Sequence, residues 1–434
     1  MKRRYVAFAT ILLIVFLSGC GGGGGETPTP VASGGGSPPS EPTGPVAPPR
    51  PSSPSPLTDL EATKALLKAA MSAGGAPATM ASPPIVTPGI ANMPSSIKDS
   101  RLVPPDSPAL RYIGAVRQAG PDYPDDQLVK NTAVNYGVLG PDSNVYYIEF
   151  VTDAPTFEIM VKGNVEASAH RLLVDGAYAT TSAVAYPDDG NLYLTRVDFQ
   201  GGRKSRNIRS ETPNMRFGGL RIAPGDSISA PPTEPRLRAV ILGDSITEGM
   251  AGQGYSFDNY ATRLGYLMGW KDMYQSGVGA TGYLEAPDGK LKLRDRLSTD
   301  VLPFSPHVLV IAAGTNDTGH PKAELQAEAT ALFDAVEKQL PFTVVFVLGP
   351  WSPGSTFIDQ RDAIKAAVGS RVNFHFVDNV GERWQTGTGN AGDLKGDGNG
   401  DIYVSEDGTH PTPAGHVYLA GKVADAVTEV VKGF

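Results

Sequence analysis

A chain of 434 residues, 40% of them hydrophobic, has the length of two or three domains. Its formal charge of −8 disfavours a phosphate-backbone partner, so no nucleic acid is expected, and its single cysteine excludes a disulfide framework or a multi-thiolate metal site. The 51 glycines and 38 prolines follow no G-x-y period and read as linker, not fibre.

Lys2, Arg3 and Arg4 precede an apolar run from Val6 to Leu17. That run is too short for a spanning helix, which needs ~20 residues, and reads as an export signal over residues 1–20. It ends in Leu17-Ser18-Gly19-Cys20, which resembles a bacterial lipobox. The resemblance implies that Cys20 is lipidated, becomes the first mature residue and anchors the protein to a membrane of the cell envelope. More than one acyl chain gives stable anchoring. Residue 21 is Gly and not Asp, which resembles outer-membrane sorting. Residues 21–56 are more than half Gly and Pro and cannot bury enough apolar area to offset chain entropy. They are expected to be a disordered tether.

Thr58 and Glu61 have capping-box spacing, and a short helix is expected to about Ala73. A Pro/Ser/Ala-rich linker follows to residue 108. Residues 109–232 change texture. Val145–Val151, Phe157–Val161, Arg171–Val174, Leu192–Val197 and Phe217–Ile222 are β-rich, with Asp-Gly, Gly-Asn and Lys-Gly turns between them. Short strands so punctuated predict a β-sandwich or jelly roll. His170 reads as an ordinary surface or core histidine. The tyrosines there suit core packing, with a sugar platform as the other use.

Residues 233–434 alternate strand and helix. Strands are expected at Leu237–Leu242, Met273–Ser276, His307–Ala313, Phe342–Leu348 and Val372–Val377. Helices are expected at Asn259–Met268, Lys322–Gln339, Phe357–Val368 and Pro413–Val431. Near-continuous apolar strands between amphipathic helices predict an α/β fold: a parallel sheet with helices on both faces. Sites in such sheets form at the carboxyl ends of strands.

Four polar blocks lie there. Gly243-Asp244-Ser245-Ile246-Thr247 follows the first strand, and Gly277-Val278-Gly279-Ala280-Thr281-Gly282 the second. Gly314-Thr315-Asn316-Asp317 follows the third, and Asp407-Gly408-Thr409-His410-Pro411 precedes the last helix. Acyl transfer needs a nucleophile, a base, an orienter and an oxyanion site. Ser245 sits at a strand-to-helix turn as nucleophile. His410 would take its proton. Asp407, three residues earlier, would hold the imidazole Nδ1–H.

In this order the blocks resemble the SGNH (GDSL-type) hydrolase family, over roughly Leu237 to Phe434. The resemblance implies a three-layer α/β/α, flavodoxin-like domain. It also implies an oxyanion site built from the Ser245 backbone N–H, a backbone N–H of the second glycine loop and the Asn316 amide. Gly279 is the expected loop donor, with Ala280 beside it. Where several family members carry Asn before this loop, the chain has Gln275 or Ser276.

Other features read as structural. Gly225-Asp226-Ser227-Ile228-Ser229 repeats the first block but runs into Pro231-Pro232, so no helix can start there. Asp397-Gly398-Asn399-Gly400-Asp401 resembles a calcium loop, but Ile402 stands where a Gly is expected and Gly408 where the closing Glu should be. His307, His375 and His416 lack a carboxylate three residues earlier, and they and His320, which follows Asp317 by three, read as structural. Trp351 could wall a pocket or anchor a loop. No metal or cofactor is expected.

A sandwich followed by such a domain is similar to the layout of some polysaccharide acetyl esterases. The expected activity is removal of an acyl group, acetyl foremost, from carbohydrate or a smaller acylated substrate through an acyl-enzyme. The alternatives are a lipase- or lysophospholipase-like esterase and a non-catalytic glycan-binding surface lipoprotein.

Overall fold

The computed structural model describes residues 57–434 except 121–122, 132–143, 164–168, 181, 188, 214, 233–234, 250–255, 288, 352–356 and 388–395. The signal, Cys20 and the tether therefore lie outside the described residues.

The carboxyl-terminal sheet has five strands: β1 (Arg238–Gly243), β2 (Asp272–Gly277), β3 (Val308–Ala312), β4 (Val344–Leu348) and β5 (Phe374–Val377). All neighbours are parallel, in the order β2-β1-β3-β4-β5. Every residue of β3 and β4 is buried, which is why both read as unbroken apolar runs. The helices are α1 (Leu60–Ser72), α2 (Ser245–Glu248), α3 (Tyr260–Leu267), α4 (Lys322–Gln339), α5 (Ile358–Val368), α6 (Gly400–Tyr403) and α7 (Pro413–Lys432). The pleat sends alternate side chains to opposite layers. Ala239, Ile241, Val308, Val310, Val344 and Phe346 pack with α1, α3 and α7. Val240, Leu242, Leu309, Ile311, Val345 and Val347 pack with α4 and α5. Among the described residues no helix is long and apolar enough to cross a membrane.

In residues 57–108 the structure differs from the expected cap and linker. The cap of α1 is Asp59, whose carboxylate accepts the Glu61 N–H at 2.9 Å. Leu67 has no exposed surface and belongs to the same buried core as Leu264 and Val427. Strands Ile85–Thr87 and Arg101–Val103 then join the β domain, antiparallel to Leu192–Asp198 and Met215–Ile222. Three-residue strands owe their place to their neighbours and leave no period to read.

The β domain is two antiparallel seven-stranded sheets. Tyr146, Ile148 and Phe150 of one face Phe157, Ile159 and Val161 of the other across a shared core. Strand Val145–Thr152 is apolar at almost every position because both of its faces are covered. Val145 and Tyr147 belong to the same core as α3 and Met273. That second face also carries paired charge. Glu149 accepts from Arg209 at 2.9 Å and Arg236 at 2.7 Å, and Arg171 bonds Glu211 at 2.6 Å and Asp258 at 2.9 Å. Strand Arg206–Pro213 supplies Arg209 and Glu211. The β and α/β layers are thus one compact unit.

Leu67→Ala should cost about 2–5 kcal/mol in urea unfolding, as a buried truncation does. Ile90→Ala, at a side chain 72% exposed in the Pro-rich stretch, should stay within about 0.5 kcal/mol. Equal, small effects would show that α1 is not packed into the α/β core.

Candidate active site

The chain leaves β1 at Gly243 and turns at once into α2. Asp244 caps this single turn, accepting the Ile246 N–H at 3.0 Å, and Gly249 ends it at φ 89°. The turn lies directly on the strand ends. A Cβ on Gly243 would fall 2.1 Å from Thr247 Oγ1, and one on Gly277 would fall 2.0 Å from the Glu248 backbone nitrogen. Only glycine allows that approach. The carbonyls of the turn find side-chain donors, as buried helix ends must. Gln275 Nε2 donates to Thr247 O at 2.6 Å, and Asn259 Nδ2 to the same oxygen at 3.0 Å.

Ser245 Oγ lies 2.8 Å from His410 Nε2, across 165 residues of sequence. His410 Nδ1 lies 2.7 Å from Asp407 Oδ2. Asp407 Oδ1 accepts from Ser405 Oγ at 2.7 Å and from the backbone N–H of Thr409 and His410, each at 2.9 Å. Partial burial would raise the Asp407 carboxyl, but the Ser405 hydroxyl, the two N–H groups and the imidazole hold it well below the usual carboxylate range. An ionised Asp407 keeps the proton on Nδ1 and turns the Nε2 lone pair toward the serine hydroxyl.

The second glycine loop differs from expectation at Gly279. Its N–H donates to Glu248 Oε2 at 2.7 Å and is therefore committed. The cause is local: Glu248 ends the one-turn helix that rests on this loop. Ala280, at φ 61°, has an N–H with no acceptor among the described residues. The same holds for the Ser245 N–H. Asn316 Nδ2 spends one hydrogen on Thr281 O at 3.0 Å and keeps the other. Three uncommitted donors thus belong to Ser245, Ala280 and Asn316.

Two buried side chains that sequence reading passed over hold this arrangement. Arg296, 1% exposed, reaches Gly243 O at 2.9 Å, Ser276 Oγ at 2.7 Å and Thr281 Oγ1 at 3.4 Å, with Asp300 beside it at 3.1 Å. It joins the ends of β1 and β2. Asp317, fully buried, accepts the backbone N–H of Tyr283, Leu284 and Glu285 at 2.7–3.0 Å. Asp317 was visible beside Asn316, but nothing in its spacing announces three backbone partners.

The remaining candidates are structural. Trp351 is 1% exposed and sits edge-on to Tyr260, a core position. His170 is fully buried edge-on to Tyr186, its two nitrogens have no hydrogen-bond partner among the described residues, and burial pushes its pKa down to about 3. His416 and His307 accept the backbone N–H of Tyr260 and Arg238. His320 contacts Glu285 at 3.1 Å. Asn399, inside the Asp/Gly turn, is bonded to Thr386 and Trp384.

Residues 241–418 match the model of the GDSL-like Lipase/Acylhydrolase family. The carboxyl-terminal domain belongs to that family. It is an ester hydrolase domain of the GDSL type. No curated protein matches the chain. Solved structures similar to it include salicylyl-acyltransferase SsfX3 from a tetracycline biosynthetic pathway (18% identity, TM-score 0.58, 77% of this chain and 98% of that one). A family two carbohydrate esterase from Clostridium thermocellum, in complex with cellohexaose, gives 15% identity and TM-score 0.54 over 75% and 100% of the chains. One from Cellvibrio japonicus gives 11% and 0.57 over 77% and 98%. At these identities the likeness is one of fold, and it spans the β domain as well as the GDSL domain.

One buried carboxyl in the GDSL domain titrates unusually. Asp244 is fully buried with Oδ2 unpartnered. Burial raises it to about 7, against the pull of the Ile246 N–H and of His410. The folded state therefore holds this proton more tightly than the unfolded chain. Its contribution to stability is full below the unfolded value of ~3.9 and is lost as pH rises toward 7. Asp244→Asn keeps the cap acceptor and removes the titration. Relative to the variant, the wild type should lose up to about 4 kcal/mol between pH 4 and pH 8 in urea unfolding. Parallel stability curves would show that Asp244 ionises freely.

Proposed function

We propose that the protein is a serine esterase that removes acyl groups, acetyl foremost, from carbohydrate hydroxyls. The observation that carries this reading is the unbroken contact chain from Ser245 Oγ through His410 to Asp407, at 2.8 Å and 2.7 Å. Ser245 attacks the ester carbonyl while His410 Nε2 takes its proton. The tetrahedral oxyanion is met by the N–H groups of Ser245 and Ala280 and by the spare Asn316 hydrogen. The bond to the sugar oxygen breaks, and His410 returns the proton to that oxygen. Water then attacks the acyl-enzyme by the same route and releases the acid. Each oxyanion donor is worth ~10²–10³ in rate.

The carbohydrate part of the proposal rests on architecture: two family two carbohydrate esterases match the fold of this chain over 75–77% of its length and 98–100% of theirs. Ser245→Ala should lower kcat on 4-nitrophenyl acetate by ~10⁴-fold or more without unfolding the protein. A variant retaining a tenth of the rate would remove the triad. Rates should fall steeply from acetyl to octanoyl esters, and acetylated xylan or a related polymer should release acetate. A rise toward long chains or lysophospholipid would replace this reading with a lipase-like one.

We also propose that Cys20 carries the lipid anchor and holds the protein in the bacterial envelope, at the outer membrane. Cys20→Ser should move the expressed protein from the membrane pellet to the soluble fraction and abolish palmitate labelling. Unchanged pelleting would reject the anchor.

A further inference from the structure

The glycine loop is fixed by a residue of the β domain. Among the described residues β2 is the edge strand of the parallel sheet, with no strand partner on its outer side. At its last residue a side chain takes that place. Asn144, 1% exposed, donates Nδ2–H to Gly277 O and accepts the Gly277 N–H at Oδ1, both at 2.8 Å. A primary carboxamide so placed copies the donor–acceptor pair of a peptide group. Asp lacks the donor, and an aliphatic side chain lacks both. Asn144 directly precedes strand Val145–Thr152, whose Val145 and Tyr147 are packed into the α/β core, so the amide is held by a buried element.

The position of the pair gives it consequence. Gly277 lies opposite Gly243 in register, and Val278 N–H bonds Gly243 O at 3.1 Å. Three residues beyond Gly277 comes the uncommitted Ala280 N–H. Gly277 cannot carry a side chain, because α2 covers it. It has no packing of its own to fix the direction in which the loop departs. Arg296 fixes the inner side of the loop base through Ser276 and Thr281, and Asn144 fixes the outer side. Oxyanion donors must be placed to a fraction of an ångström, and a 1 Å error costs ~10²-fold in rate.

We infer that Asn144 is a positioning residue for the oxyanion loop, so that the β domain is a structural half of the catalytic apparatus and not a detachable binding module. The inference rests on the triad reading above. Its failure can be told from failure of that reading, because Ser245→Ala tests the triad without touching the loop.

The test measures steady-state kinetics of the full chain on 4-nitrophenyl acetate, below the melting temperature of every variant. Asn144→Ala should lower kcat by ~10-fold or more while KM stays within about twofold, since a displaced oxyanion donor is missed in the transition state and not in the ground state. Asn144→Asp should be at least as damaging at neutral pH, with a carboxylate facing the Gly277 carbonyl. Arg111→Met is the stability control. Arg111 bonds Asp272 at 2.6 Å, at the opposite end of β2 and in the same interface. It should lower the melting temperature and leave kcat unchanged. An Asn144→Ala kcat within twofold of wild type would overturn the inference. So would an equal kcat loss in Arg111→Met. Loss of Ser245→Ala activity together with either result would leave the triad standing and Asn144 as an ordinary interface tie.

Discussion

The site depends on one close approach: a single helical turn pressed against the ends of two neighbouring strands. Ser245 begins that turn, and its hydroxyl meets an imidazole delivered from the other end of the domain. Gly243 and Gly277 make the approach sterically possible. Steric permission does not hold the parts together, and backbone atoms at strand ends have no ladder partners beyond the sheet. Arg296 supplies several at once. A guanidinium with five donors in a fixed fork can bond two strand ends and a loop hydroxyl together, which a lysine cannot. Burying that charge is costly unless it is paired and hydrogen-bonded. Asp300, equally buried, meets the first need, and the carbonyls of Gly243 and Ser276 meet the second.

The same logic extends to the β domain. Its contact with the α/β layer is partly apolar, through Val145 and Tyr147, and partly a set of paired charges. Arg171 bonds Glu211, Asp258, the Tyr178 hydroxyl and the Phe257 carbonyl. Asp258 and Phe257 lie in the short turn that leads into α3, and the first residue of α3 is Tyr260, whose hydroxyl touches Thr247 Oγ1 at 2.7 Å. A chain of contacts therefore runs from the β domain to the nucleophile turn, separate from the one through Asn144. Buried networks of this kind hold a defined geometry only when every member is satisfied. That condition ties the two domains into one structure.

What could be read from sequence follows from what each residue touches. The parallel strands were legible because a strand buried on both faces must be apolar at every position, as Val308–Ala312 and Val344–Leu348 are. Strand Arg206–Pro213 was not, because its outward face meets charges of another layer, so Glu211 is buried and Arg209 half-buried where a surface pattern suggests exposure. The one-turn helix α2 is too short to show a period. Ser245, Asp407, His410 and Asn316 were legible as residue types in loops flanking the sheet, since the role proposed for each runs through its own side chain. The proposed loop donor was not, because every residue but proline has an N–H. What separates Gly279 from Ala280 is the Glu248 carboxylate lying on the first, a fact of folding and not of spacing. Asn144 was equally hidden: it lies far from the four blocks in sequence and matters only through the edge of β2.

Two aspartates near the imidazole differ in charge because they differ in solvation. Asp407 is part-exposed and surrounded by donors, and it is held ionised. Asp244 is sealed under the nucleophile turn with one oxygen unpartnered, and burial drives it toward the neutral acid. Opposite shifts of this kind allow two carboxyl groups to sit near one histidine without competing for it. If both were ionised, the imidazolium formed during attack would feel attraction from two directions, and only the Asp407 contact orients Nδ1. Neutralising Asp244 leaves one anion with one hydrogen bond to the ring. The sequence Gly-Asp-Ser thus places a cap acceptor beside the nucleophile, while the depth of the strand end draws that carboxyl toward its neutral form.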